Sequence, residues 1–398
     1  MNREIWKRNL IALGISQFIY RAGSRSLIPF LPLFIHDLGK TSFENTAIWS
    51  GWIFAAPFIV SFFTTPLWGA FGDRYGRKLM TLISVFGFAA SQILMGLSGS
   101  LVFLLLSASL QEAMGGFYPA AISLTASNTP KEKNAYALGI IQFANSSGNV
   151  AGPLIGGILA DLLGYREVFY LVGISACLSG IIVFIFVDEK NFTSENKTYH
   201  SIISNLKHLI GNRALLSCGL FLLIYSLSVS LLRPTFSLFI QSHNFTQQTS
   251  TLTGILLGIY GGSSAIASGL FGRIARGFRL DKFFIYTILV VSASSIAIAY
   301  SSSLLSLSIF LAISGFGLGI ILPLIYTLLA SNTDNERKAG VFGIGSSFLT
   351  GGNLAGSAIS GIIVMQLGAG VPFVVSGILF LFVVPISMLG LKTGFAKN

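Results

Sequence analysis

A succession of long, uncharged apolar stretches constrains this chain more than any other feature. Phe54 to Trp68 carries no charge, and neither does Leu79 to Leu97. Each stretch approaches the length a helix needs to cross a bilayer. Twelve such segments can be drawn, at about 9–35, 45–71, 79–98, 101–128, 134–162, 167–187, 213–240, 251–275, 282–301, 304–330, 338–366 and 371–391. The chain is 53% hydrophobic and only 10% charged, with a mean hydropathy of +0.77. Soluble domains carry about a quarter charged residues. The pattern therefore predicts an all-α membrane protein with twelve transmembrane helices.

The one substantial polar gap, 188–212, opens with Asp188-Glu189-Lys190 and continues through the polar run 193–201. It reads as a cytoplasmic linker between an N-terminal six-helix bundle (1–187) and a C-terminal one (213–398). Odd–even alternation of the segments puts 20 of the 25 Lys and Arg residues in loops on the side of the N-terminus. Only Lys40 and Arg166 fall on the opposite side. Such a bias orients both termini and the linker to the cytoplasm. An internal repeat relates the halves. At an offset of 204, Ala126–Thr129 matches Ala330–Thr333, while Gly139, Gly148, Asn149, Gly152 and Gly157 match Gly343, Gly352, Asn353, Gly356 and Gly361. Repeated bundles with a site between them near mid-membrane are how alternating-access transporters are built.

Several function classes are excluded. Cys177 and Cys218 both lie in apolar runs, which argues against a disulfide framework. His36, His200, His208 and His243 are too widely spaced for a zinc site, so no metal is expected. The net charge of +11 is scattered through short loops rather than gathered on one face, so nucleic acid is not a partner. No phosphate-cradling Gly-rich loop is present, no cofactor is implied, and the chain is not read as an enzyme. The N-terminal apolar run is too long for a cleavable signal, and no cleavage site follows it.

Between the two uncharged runs named first lies Gly69-Ala70-Phe71-Gly72-Asp73-Arg74-Tyr75-Gly76-Arg77-Lys78. It reads as a tight polar loop whose glycines let two helix ends approach. Gly69, Asp73, Arg74, Gly76, Arg77 and Lys78 match the pattern G-x-x-x-D-R-x-G-R-K, and the segment closely resembles the signature between helices 2 and 3 of the major facilitator superfamily. Two further strings resemble the twelve-helix drug:proton antiporters of that superfamily. One is the end of predicted helix 1, Pro29-Phe30-Leu31-Pro32 through Leu38-Gly39, where two prolines loosen the helix. The other is Gly148-Asn149-Val150-Ala151-Gly152-Pro153-Leu154-Ile155-Gly156-Gly157 in predicted helix 5. Physically, its small residues make a close packing seam. The resemblance adds that it is an antiporter motif at the contact between the halves, with Gly152 and Pro153 shaping a bend. The resemblance implies the major facilitator fold, two pseudo-symmetric six-helix bundles, with helices 1, 4, 7 and 10 lining a central cavity. It also suggests that Asp73 docks near the start of helix 11, around Gly340. In one place the chain departs from the family. The Arg common in helix 4 is replaced by Ser107, so the usual proton-relay assignment does not carry over.

Charges inside the membrane are costly, so they mark function by default. Glu112 is the one acid well inside a predicted span and is the candidate proton-coupling residue. Arg21 and Arg25 lie one turn apart on helix 1 and share a face. With Arg233, Gln111, Gln142 and Tyr326 they form the candidate substrate-binding set. Gln17, Tyr20 and Asn145 are further polar residues placed to face the same cavity. A fixed Arg–Glu pair joining helices 1 and 4 is the structural alternative. The reading is a monomeric, proton-coupled exporter of small molecules, of multidrug type, in the bacterial inner membrane, with protons, substrate and the lipid bilayer as its partners. Three arginines against one acid leave an anionic metabolite, such as a carboxylate siderophore, as an alternative substrate. A non-transporting receptor is the alternative of another class.

Overall fold

The computed structural model describes residues 5–189, 211–274, 280–333 and 338–390. In the N-terminal half the helices are α1 (Ile5–Ser26), α2 (Leu31–Gly39), α3 (Phe43–Tyr75), α4 (Arg77–Gly96), α5 (Leu101–Ala113), α6 (Phe117–Asn128), α7 (Asn134–Leu163) and α8 (Tyr165–Phe186). In the C-terminal half they are α9 (Arg213–Leu232), α10 (Phe236–Ser242), α11 (Thr249–Ile274), α12 (Leu280–Ala299), α13 (Leu304–Ser331), α14 (Lys338–Leu367) and α15 (Val371–Gly390). A short 3-10 turn, Lys131–Lys133, precedes α7. The described fold is all-α. Among the described residues, nine stretches are long and apolar enough to cross a membrane. The other three expected spans are not among the nine: α1 carries Lys7, Arg8, Arg21 and Arg25, α7 is rich in Gly, Asn and Ser, and in the last helix the described side chains run only from Val371 to Val384.

Three spans expected to be continuous are broken. Between α1 and α2 the chain passes Pro29, whose ring excludes the carbonyl four residues back and which has no N–H to donate. The neighbouring bonds tighten to the i−3 type, Ile28 to Arg25 at 3.3 Å and Phe30 to Leu27 at 3.2 Å. Pro234 does the same between α9 and α10, where the N–H of Thr235 reaches Leu232 and its hydroxyl donates to the Leu231 carbonyl. The third break, Met114-Gly115-Gly116, separates α5 from α6 without any proline.

The segment 69–78, expected to be a loop, is helical almost throughout. α3 continues to Tyr75 and α4 starts at Arg77, so the turn is Gly76 alone. Its φ of +96° is one that a side chain would strain. The chain keeps its helical hydrogen bonds up to the last possible residue, which a membrane-embedded backbone favours.

The described chain falls into two compact units. One holds Met1–Ser42, Ala56–Asn196 and Thr246–Leu257, and the other Phe43–Ala55, Lys197–Phe245 and Gly258–Asn398. In the first, α1 packs on α7 and α4 on α8 around Leu13, Phe88, Phe117 and Ile141. In the second, α9 packs on α14 and α12 on α15 around Phe221, Phe284, Ile321 and Ile325. The sequence repeat is a packing repeat. A Cβ on Gly148 would meet Arg21 Cβ at 2.8 Å, and one on Gly152 would meet the Ala22 carbonyl at 2.5 Å, while Gly156 abuts Ser26. In the other unit Gly352 and Gly356 abut Leu223 and Leu227 of α9 in the same way. Association of helices in lipid relies on such close backbone approach.

Candidate functional site

The first unit holds a polar cluster where α1, α5, α6 and α7 meet. Arg21 projects from α1 beside the Gly148 seam. It interacts electrostatically with Glu112 of α5 and with the phenols of Tyr20 and Tyr118. Glu112 sits in the last turn of α5, immediately before the break, where its own carbonyl accepts from Gly115 at 3.0 Å. The break is braced from α3. Trp68 donates its indole N–H to the Ala113 carbonyl, and a Cβ on Gly116 would strike the Trp68 ring at 2.5 Å. Gly87 of α4 leaves room for Met114 on another side.

The remaining expected residues divide. Gln142 of α7 accepts from the Tyr118 hydroxyl and is exposed, so it stands at the accessible edge of the cluster. Gln111 accepts from Gln92 of α4, a fully buried residue, which fixes its direction. Arg25 donates from Nε to Asn149 Oδ1 at 3.1 Å, so the two arginines of α1 have different named neighbours. Gln17, Tyr20 and Asn145 do not face an open cavity as expected. Gln17 donates to Asn145 at 3.0 Å inside the α1–α7 contact, and both are buried. Tyr20 stacks on Phe117 at 4.8 Å and packs against Phe88 at 4.6 Å. Polar side chains inside a span commonly pair with one another in this way. Ser107 bonds back to the Phe103 carbonyl and stays buried.

The second unit holds a cluster that sequence reasoning saw only in part. Arg233 follows α9 immediately before Pro234. It interacts electrostatically with Tyr225 of α9 and Tyr260 of α11, and Tyr225 in turn with Tyr326 of α13. Tyr326 stacks on Phe342 of α14 with centroids 5.6 Å apart and planes 7° off parallel. Tyr225 and Tyr260 carry no motif, and nothing in one sequence distinguishes them among twelve tyrosines.

The Gly76 turn is tied down by residues that sequence reading assigned to the linker. The backbone N–H groups of Arg77 and Lys78 each donate to Glu189, at 2.9 Å, so this carboxylate caps the start of α4. Arg77 donates to the Ser123 carbonyl of α6 at 3.3 Å, and Lys78 to the Phe184 carbonyl at the end of α8 at 3.0 Å. Arg74 lies over the Tyr75 ring at 5.2 Å. Asp188 pairs with Arg8, and its backbone carbonyl accepts from Asn9 and Asn128. The side chain of Asp73 and the surroundings of Gly69 and Gly340 lie outside the described residues, as does the linker from 190 to 210. Pro153 and Gly157 form a second seam, on the face of α7 that meets the first turns of α11.

A family model described as Major Facilitator Superfamily matches residues 13–280 and 220–394. The chain is 29% identical over 381 residues to the multidrug resistance protein MdtG of Enterobacter lignolyticus, covering 95% of this chain and 90% of that protein. It is also 29% identical to MdtG of Escherichia coli strain SMS-3-5, covering 95% and 93%. Among solved structures, a bacterial homologue of the human lysosomal transporter Spinster, inward-facing and occupied, superposes with a TM-score of 0.84 at 15% identity, covering 99% and 98% of the two chains. The human organic anion transporter MFSD10 gives 0.69 at 18% identity, covering 96% and 99%.

Proposed function

We propose a transport function from one premise: the chain belongs to the major facilitator superfamily, a family of transporters and not of enzymes. It is a multi-pass membrane protein with multidrug-efflux relatives. The reading is a proton-coupled exporter of small molecules that works by alternating access in the bacterial inner membrane, with both termini cytoplasmic.

The observation that carries the reading is Glu112 at the broken end of α5, within electrostatic reach of Arg21. A carboxylate in a span is tolerable when paired, hydrated or protonated. If substrate draws Arg21 away, the positive charge that favours ionised Glu112 is withdrawn and the acid takes up a proton, so the two movements are coupled by competition for the same charges. A membrane potential of about 100 mV supplies roughly 2.3 kcal/mol per charge moved. The break places the acid where backbone and side chain can shift without unwinding a whole helix. The motif glycines Gly148, Gly152, Gly156 and Gly157 line the seams on which α7 rocks.

A second reading, export of an anion, is favoured by charge. Arg21, Arg25 and Arg233 stand against Glu112, and Arg233 adjoins tyrosines whose hydroxyls suit carboxylate oxygens. Uptake into inside-out vesicles under an imposed pH gradient, with cationic dyes and organic anions tested side by side, separates the two. No gradient-dependent uptake of either class would overturn the transport reading. Labelling of a cysteine at Ser194 by an impermeant reagent in intact cells would overturn the orientation.

A further inference from the structure

α7 and α11 meet along a seam made almost wholly of backbone. A Cβ on Gly157 would collide with the Ser250 carbonyl, and one on Gly254 with the Pro153 carbonyl. The repeat supplies a counterpart. In the other unit a Cβ on Gly361 would collide with the Ala47 carbonyl, and one on Gly51 would lie 2.9 Å from the Ser357 carbonyl. Gly361 and Ser357 stand 204 residues after Gly157 and Pro153, while Ser250 and Gly254 stand 203 after Ala47 and Gly51. The two seams thus share one backbone design, with glycines at matching places, but not the same side chains. One turn beyond Gly157 stands Asp161, and its counterpart beyond Gly361 is Met365.

The acid answers a difference in helix length. α3 begins at Phe43, so the residue matching Thr251, Ile48, is already inside the helix and its N–H is satisfied four residues back. α11 begins only at Thr249, and its first described i−4 bond is Leu252 to Gln248 at 3.1 Å. The Thr251 N–H is therefore one of the orphan donors of a helix start. Asp161 Oδ2 accepts it at 2.6 Å, and the Thr251 hydroxyl donates to the Gly157 carbonyl at 3.4 Å. The carboxylate also faces the positive end of α11. Tyr165 and, beyond it, Asp37 are the titratable groups within electrostatic reach.

We infer that Asp161 is the latch of this seam: a positioning residue whose bond to the Thr251 N–H holds the first turns of α11 against α7, and whose release accompanies opening of the protein at the end away from the N-terminus. A glycine seam buries little side chain, so its polar contacts matter: the Thr251 hydroxyl and Tyr165, which reaches Ser250, assist, and the charge-assisted bond of Asp161 is the strongest in kind. The other copy has Met365 in place of the acid. The inference rests on the alternating-access reading above, but its test needs neither substrate nor a proton gradient.

Ser250 is fully buried in the seam, so a cysteine there reports opening. In full-length protein with Cys177 and Cys218 replaced by serine, Ser250→Cys is labelled with a soluble maleimide. Asp161→Ala is expected to raise the labelling rate on the order of tenfold, the ratio for loss of one charge-assisted bond. Thr251→Pro removes the same N–H from the other partner, in the first turn where proline fits a helix. It also removes the hydroxyl bond to the Gly157 carbonyl, so it is expected to raise the rate at least as much, and the double variant to label no faster than Thr251→Pro alone. Asp161→Asn keeps an acceptor oxygen and is expected to stay closer to the parent than Asp161→Ala does. Labelling at the parent rate in both Asp161→Ala and Thr251→Pro overturns the latch, as do effects that multiply in the double variant. If Asp161→Ala does not fold, Thr251→Pro alone decides, by the same rate comparison.

Discussion

Trp68 of α3 donates its indole N–H to the Ala113 carbonyl at 2.8 Å, across the break that follows Glu112. That carbonyl belongs to the last turn of α5 and has no helical partner of its own. The bond therefore sets where α5 stops and which way its final turn, with Glu112, points. Trp68→Phe keeps an aromatic ring but loses the donor and part of the indole's volume. The expected outcome is a stability loss of about 1 kcal/mol, read as a lower Tm in detergent, with a larger loss of transport than of stability. Gly116→Ala drives a methyl into the same ring and is expected to be worse on both counts. Normal transport by Trp68→Phe would mean that the break needs no brace.

Glu189 caps α4 through two backbone N–H groups at once, the arrangement that favours an anion at a helix start. Glu189→Ala is expected to cost about 1 kcal/mol, the usual magnitude for a lost cap, and to free the Gly76 turn. Glu189→Gln still offers one acceptor oxygen and is expected to fall between. Protease nicking after Arg77 or Lys78 measures the freedom of the turn. Equal nicking in the parent and in Glu189→Ala would refute the cap. Asp73→Asn, if Asp73 steadies one conformation as the motif suggests, is expected to slow transport without changing insertion.

The apolar architecture was legible because a bilayer permits few alternatives, and long uncharged runs satisfy their backbone as helices. Pro29 marks the end of the first span as loosened, whereas the break at Pro234 was not anticipated from the sequence. The break after Glu112 was not legible, because Gly115 and Gly116 are two among 44 glycines and only Trp68, far back in the sequence, makes them a stop. The same difficulty hid Gln17 and Asn145. A lone amide in a span looks like a ligand for a cavity until the structure shows a second amide bonded to it. Asp188 and Glu189 read as the start of a linker because their partners, Asn9, Asn128 and the α4 backbone, lie far off in sequence. Tyr225 and Tyr260 had no signal at all, while Arg21, Glu112 and Arg233 stood out because charge in a membrane is rare.

The choice between anionic and cationic substrates turns on the arginines. Glu112→Gln is expected to abolish proton-dependent accumulation under either choice while leaving binding measurable, because the amide keeps the shape and loses the titrating proton. Retained proton dependence in Glu112→Gln would leave Arg21 and Glu112 as a structural ion pair only. The schemes part at Arg21→Ala plus Arg25→Ala. Removing two positive charges is expected to abolish binding of an organic anion, yet to spare or strengthen binding of a lipophilic cation, for which those charges are a repulsion to be overcome. Arg233→Ala is expected to follow the same pattern more weakly, because the flanking tyrosines still offer hydroxyl donors. Tyr225→Phe and Tyr260→Phe remove those donors while keeping the rings, so they are expected to weaken anion binding by about threefold to tenfold and to leave an apolar cation unaffected. Binding isotherms for one anion and one cation, on the same preparation of each variant, decide it. Parallel losses for both ligands would place the arginines in folding rather than in recognition.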